Sequence, residues 1–158
     1  MPDMTTDAIP APPDLSAHLA IDGAAAAIDF YVRAFSAKLL GKQPTPDGKK
    51  LIHAALAFGN GLLMLSDDFP AMNGGKSRHP RALGGSGVTI HLNVPDADAV
   101  FERAVAAGAK VVMPLADMFW GDRYGILEDP FGHRWSIGTP KRKVPDDELA
   151  AAARQYFS

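Results

Sequence analysis

The sequence contains no cysteine. That excludes disulfides, thiol nucleophiles and Cys-ligated zinc or iron–sulfur centres, and it fits a reducing compartment. It also lacks any apolar run approaching the roughly 20 residues of a membrane span. There is no basic excess. Sixteen Lys and Arg against 18 Asp and Glu leave a formal net charge of -2, so neither a nucleic-acid partner nor an anionic membrane surface is expected. The first residues, M-P-D-M-T-T-D-A-I-P, are acidic and have no apolar segment of the secretory kind. A cytoplasmic protein is the expectation. What is present is 158 residues, 47% hydrophobic and 22% charged, an ordinary composition for one domain with a substantial core.

Pro2, Pro10, Pro12 and Pro13 make residues 1–14 a flexible, proline-rich arm. Leu15 to Ile21 alternates as a strand, with Ala17, Leu19 and Ile21 on one face and Ser16, His18 and Ala20 on the other. A helix follows from Ala24 to Ser36, with Asp22 as its expected N-terminal cap and Ala25, Ile28, Val32 and Phe35 on its inward side. Lys38 to Lys42, Lys49 to Phe58 and Leu62 to Ser66 are three further strands. Residues 67–87 are rich in Gly, Pro, Asn and basic side chains, a length of connection that suggests a linker or lid.

The pattern then begins again. Val88 to Val94 alternates, with Thr89, His91 and Asn93 on its polar face. A helix capped at Pro95-Asp96 runs to Ala107 and stops at Gly108. Lys110 to Pro114 is a strand, and Tyr124 to Glu128 and His133 to Ile137 form a hairpin about the turn Asp129-Pro130-Phe131-Gly132. Ala37-Lys38-Leu39-Leu40 is echoed by Ala109-Lys110-Val111-Val112, Phe30 by Phe101, and His18 by His91. A duplicated βαβββ unit is therefore predicted. The expected layout is a first module over 15–66, the connector 67–87, a second module over 88–140, and a helical tail at 141–158 within one structural domain.

With A-I-D-F-Y-V-R-A-F-S-A at 27–37 and W-G-D-R-Y-G-I-L-E-D-P-F-G-H-R-W at 120–135, the chain resembles the vicinal-oxygen-chelate superfamily. Within it, the chain is similar to glyoxalase/bleomycin-resistance-like proteins of the PhnB type. The resemblance implies an α+β fold in which two βαβββ modules form an open curved barrel around a cavity. It also implies a homodimer and a small-molecule ligand. Members include metal-dependent lyases and isomerases as well as metal-free drug-sequestering proteins.

The superfamily's metal positions fall at Ser16, near Met64, at Thr89 and at Ser136, none of them a good ligand for a divalent ion in an N/O site. No metal and no cofactor are therefore expected. The expected activity is binding of a small hydrophobic or anionic molecule. The alternative is a metal-dependent lyase or isomerase of the glyoxalase type, using a displaced site that includes His18 and His91. A structural dimer with a vestigial cavity is a third possibility. No catalytic residue is assigned.

The candidate ligand-contact residues are His18, His91, Trp120, Arg123 and His53. An aromatic face beside a planar cation suits an anionic or conjugated molecule. Arg123 can equally pair with Asp117 or Asp122 to order its loop. His133 and Trp135 are expected to point away from the cavity, and Glu128 and Asp129 are carboxylates of structural or acid–base use.

Overall fold

The computed structural model describes residues 11–158, so most of the proline arm expected at 1–14 lies outside the described residues. The first module is β1 (Ala17–Ile21), α1 (Ala24–Phe35), β2 (Lys38–Pro44), β3 (Leu51–Phe58) and β4 (Gly61–Asp67). A connector holds a single 3-10 turn (Pro70–Asn73) and the short α2 (Pro80–Leu83). The second module is β5 (Thr89–Asn93), α3 (Ala97–Ala107), β6 (Lys110–Asp117), β7 (Asp122–Glu128) and β8 (Arg134–Pro140), and α4 (Asp146–Tyr156) closes the chain. Each module makes one four-stranded sheet, in the orders β1-β4-β3-β2 and β5-β8-β7-β6. In each, the first strand pairs parallel to the last and the other pairs are antiparallel. The duplicated βαβββ order is present. The two sheets are not closed into one barrel.

Each sheet buries one face. Leu19 and Ile21 of β1, Ala54 and Leu56 of β3, and Leu63 and Leu65 of β4 lie inside, as the period of 2 along a strand requires. α1 covers them with Ala24, Ala27, Ile28, Phe30, Tyr31, Ala34 and Phe35. Ala25 and Val32, expected on this side, are exposed instead. The buried stripe is wider than a single-sided one and is rotated, because α1 packs on α3 as well as on its own sheet.

Asp22 does not cap α1. Gly23 occupies the cap position at φ 100, and the acceptor comes from the end of β4. One Asp67 oxygen takes the N–H groups of Gly23 and Ala24 at 3.2 and 3.0 Å, and the other takes that of Leu51 at 2.7 Å. The second module repeats the device. Thr139, at the end of β8, accepts from the N–H of Ala97 at 2.8 Å. Asp22 instead faces Arg81 at 3.5 Å on the surface. A helix start needs acceptors for its free N–H groups, and a fixed side chain from a neighbouring strand supplies them as well as a local one does.

The modules dock within one chain through a buried aromatic cluster. The Trp135 ring of β8 lies 5.2 Å from Tyr31, 4.8 Å from Phe35 and 5.4 Å from Phe58, centroid to centroid. Asp129, at the hairpin turn, fastens this cluster. One of its oxygens accepts from the Tyr31 hydroxyl at 2.5 Å and the Trp135 indole at 2.9 Å; the other accepts from the N–H groups of Phe131 and His133. Arg103 Nε of α3 donates to the Ala34 carbonyl at the end of α1 (3.0 Å), and His133 Nε2 donates to the Ala20 carbonyl (3.0 Å). The connector is tied down too. Arg81 donates to the Pro130 carbonyl and lies over the Phe131 ring, while Lys50 Nζ donates to the Asp68 carbonyl at 2.8 Å.

Burial, and then the adjacent Asp129, raises the pKa of Tyr31 well above the ordinary value of 10.0. The neutral phenol is thus favoured in the folded state. Its contribution is fully present below the unfolded-state value near 10 and is lost as pH rises beyond it. Unfolding free energy should therefore fall steeply above about pH 10. In Tyr31→Phe that alkaline component should shrink while the slopes at lower pH stay as they are. Urea unfolding across pH 8 to 11.5 measures this, and parallel curves for the two proteins would contradict it.

Candidate functional site

The face of each sheet opposite the helices is open. On the first sheet the register sets His18 beside Met64 and Met64 beside Ala55, while Gln43 stands beside His53. The His18 and His53 rings meet edge to face with centroids 5.9 Å apart. Partial desolvation, and then the charge of His53, lowers the pKa of His18 below the ordinary imidazole value. On the second sheet the same positions carry His91 and Tyr124, whose rings stack with centroids also 5.9 Å apart. The series continues to Trp120, edge to face on Tyr124 at 5.3 Å, with its indole N–H donating to Asp122 at 3.2 Å.

His91 is fully engaged. Its Nδ1 accepts the Ser136 hydroxyl at 2.8 Å, and its Nε2–H donates to Asn93 Oδ1 at 3.0 Å. Gly138 makes room for it, since a Cβ there would come within 2.9 Å of the His91 ring. His18 and His91 share no ring contact among the described residues; each pairs with a ring of its own sheet. A metal site built on that couple has no free nitrogen on His91 to use.

The superfamily's metal positions fit no better. They hold three hydroxyls and a thioether, and one of those hydroxyls, Ser136, is bonded to His91. Among the described residues no group of three or more His, Asp or Glu could hold an ion.

Arg123 lies away from the ring series. Strand alternation turns it to the face opposite Tyr124, where it donates to both oxygens of Asp98 at 2.9 and 3.1 Å and lies 3.4 Å from Asp117. Pairing with Asp117 was one of the two roles open to it, and Asp98 on α3 is the stronger partner. His133 and Trp135 point to the helix side, toward the Ala20 carbonyl and the Tyr31 ring, but Trp135 also reaches the groove between the sheets, contrary to the expectation. Asp129 is structural.

A groove of about 520 Å³ runs where β1 and β5, the inner edges of the two sheets, approach one another. Its walls are mostly apolar, including Leu62, Ile90, Leu92 and Trp135, with Ser16, His91 and Asn93 as polar groups. The Ser16 hydroxyl is shielded from solvent and has no hydrogen-bond partner. The sequence placed Asn93 on the face of His91 but did not name Tyr124 or Ser16 as its companions. The alternation of β5 puts Asn93 on the His91 face, so that one was legible. Tyr124 required the β7–β8 register, which passes through Gly138.

Two curved sheets of βαβββ order around a groove define the glyoxalase-like class of α+β proteins. The chain belongs to the Glyoxalase/Bleomycin resistance protein/Dioxygenase superfamily, whose family model matches residues 15–137. It is 59% identical to an uncharacterized protein of Mycobacterium bovis over 145 residues, covering 92% of this chain and 95% of that one. It is 31% identical to an uncharacterized protein of Arabidopsis thaliana, over 77% of this chain and 74% of the other. Among solved structures, TioX from Micromonospora sp. ML1 superposes with a TM-score of 0.61 at 30% identity, covering 80% of this chain and 97% of TioX.

Proposed function

We propose that the protein binds a small, flat, largely apolar molecule in the groove between its sheets, without the superfamily's usual metal. The carrying observation is the groove itself. Its volume of about 520 Å³ lies within the range of ligand sites, roughly 300–1,000 Å³, and it combines apolar walls with few polar groups. The unpartnered Ser16 hydroxyl is one such group, and a buried polar atom of this kind calls for a partner. His91, held by Ser136 and Asn93, presents a fixed ring edge that continues into Tyr124 and Trp120. With Arg123 paired to two carboxylates, an anionic ligand has less support than an uncharged conjugated one.

A thermal-shift screen of flat heteroaromatic compounds tests this reading. Binding at 100 times the dissociation constant should add about 2.7 kcal/mol of stability. Ile90→Trp, which fills the groove, should abolish the shift, and His91→Ala should weaken it. Compounds that stabilise wild type and Ile90→Trp equally would sink the groove as the site.

The proposal includes placement in the PhnB type, which the motifs at 27–37 and 120–135 support, and self-association as a homodimer. None of the residues in the outer strands β2 and β6 is buried, and Leu39, Leu40, Val111 and Val112 are exposed there. Light scattering on purified protein should give twice the 16.8 kDa chain mass. Leu40→Lys with Val112→Lys should shift it toward the monomer, and a wild-type monomer at 100 µM or so would refute the dimer.

A further inference from the structure

The five histidines divide sharply. His91 is bonded to Ser136 and Asn93, His133 to the Ala20 carbonyl, and His79 accepts the N–H of Ala82 at the start of α2. Of the five, only the His18 and His53 side chains make no hydrogen bond among the described residues. They also stand together, on the open face of the first sheet, ring against ring at 5.9 Å. An isolated imidazole on a sheet is unremarkable; two that are adjacent and uncommitted form a donor pair.

We propose that His18 and His53 together hold a divalent late first-row transition ion, copper(II) most tightly. With metal–nitrogen bonds of about 2.0–2.1 Å, two ring centroids sharing one ion stand roughly 4.5 Å apart at the right angle of a tetragonal copper(II) site and roughly 6.4 Å apart across it. The observed 5.9 Å falls inside that span. Imidazole suits copper, nickel and zinc, and the general order of affinities puts copper(II) first. A metal takes the neutral ring, and the lowered pKa of His18 keeps that form available. Among the described residues no carboxylate completes the set, so the remaining positions belong to water or to an incoming chelating molecule.

This site is distinct from the superfamily positions: His18 is displaced along β1 from Ser16, and His53 lies on β3, not on β4 where Met64 stands. It is also separate from the groove's polar groups on the second sheet. In that sheet the equivalent couple is His91 and Tyr124. The duplication therefore kept a ring pair on each open face and gave only the first a second imidazole.

The test uses the full chain without an affinity tag, stripped with chelator and titrated with copper(II) in a non-coordinating buffer. One ion should bind per chain, and its electron paramagnetic resonance spectrum should show hyperfine coupling to two imidazole nitrogens. His18→Asn or His53→Asn should weaken binding roughly tenfold or more, since even second-shell losses cost 10–100-fold. His91→Asn should leave metal affinity unchanged while weakening the groove ligand, so the two proposals fail independently. In wild type the ion should broaden the His18 and His53 ring resonances before those of His91 and His133, a readout that needs no variant. No copper binding, binding indifferent to both substitutions, or broadening centred on another histidine would overturn the assignment.

Discussion

Asp129→Ala should lower the melting temperature of the protein by about 6–20 °C. Asp129 is 4% exposed and accepts from four donors: the Tyr31 hydroxyl, the Trp135 indole, and the backbone N–H groups of Phe131 and His133. Truncation strands all four in a buried site. Removing one partner from a buried charged network costs about 3–5 kcal/mol. That is a large share of a total stability of roughly 5–15 kcal/mol. It corresponds to a fall in melting temperature of about 6–20 °C for a chain of this size. Because Tyr31 belongs to the first module and Trp135 to the second, the loss should also loosen module docking. Tyr31→Phe removes one bond only and should cost about 1–2 kcal/mol. Urea unfolding of the two variants gives the comparison. A penalty below 1 kcal/mol for Asp129→Ala would show that the carboxylate does not fasten the modules.

Gly121→Ala should cost about 2–5 kcal/mol, an unusual sum for adding one methyl group to a loop. Gly121 sits at φ +102, where side chains are strained, and a Cβ there would overlap the Arg142 carbonyl oxygen and lie 3.1 Å from Val144. The Gly121 carbonyl meanwhile accepts the N–H groups of Lys141 and Arg142. The two segments thus approach backbone to backbone, and neither can retreat without breaking those bonds. Trp120 precedes this crossing, so its indole resonance should shift in the variant and the ring series on the second sheet should be disturbed. Chemical denaturation and the Trp120 indole N–H signal report the two effects. A loss under 0.5 kcal/mol with an unmoved indole signal would mean that the loop relaxes freely.

Both sites were visible in the sequence as residue types and invisible as roles. The D-P-F-G turn was legible because Pro and Gly specify local backbone geometry, yet nothing local says that its Asp reaches a tyrosine 98 residues away. The cap of α1 failed for the same reason. Asp22 is the neighbour along the chain, while Asp67 is the neighbour in space. Arg123 and Trp120, adjacent but for two residues, were grouped as a site, but alternation and pairing sent the arginine to Asp98 on the helix side.

By itself the sequence determined the two βαβββ units, the polar faces of β1 and β5 and the histidines on them. Each of these depends on periodicity or on turn residues acting over a few positions. The tertiary structure decided which histidines keep free nitrogens, which carboxylate fastens the modules and where the groove lies. Those outcomes depend on strand register and on packing between modules. There, groups far apart in the chain compete for the same few hydrogen-bond partners, and only the folded geometry assigns them.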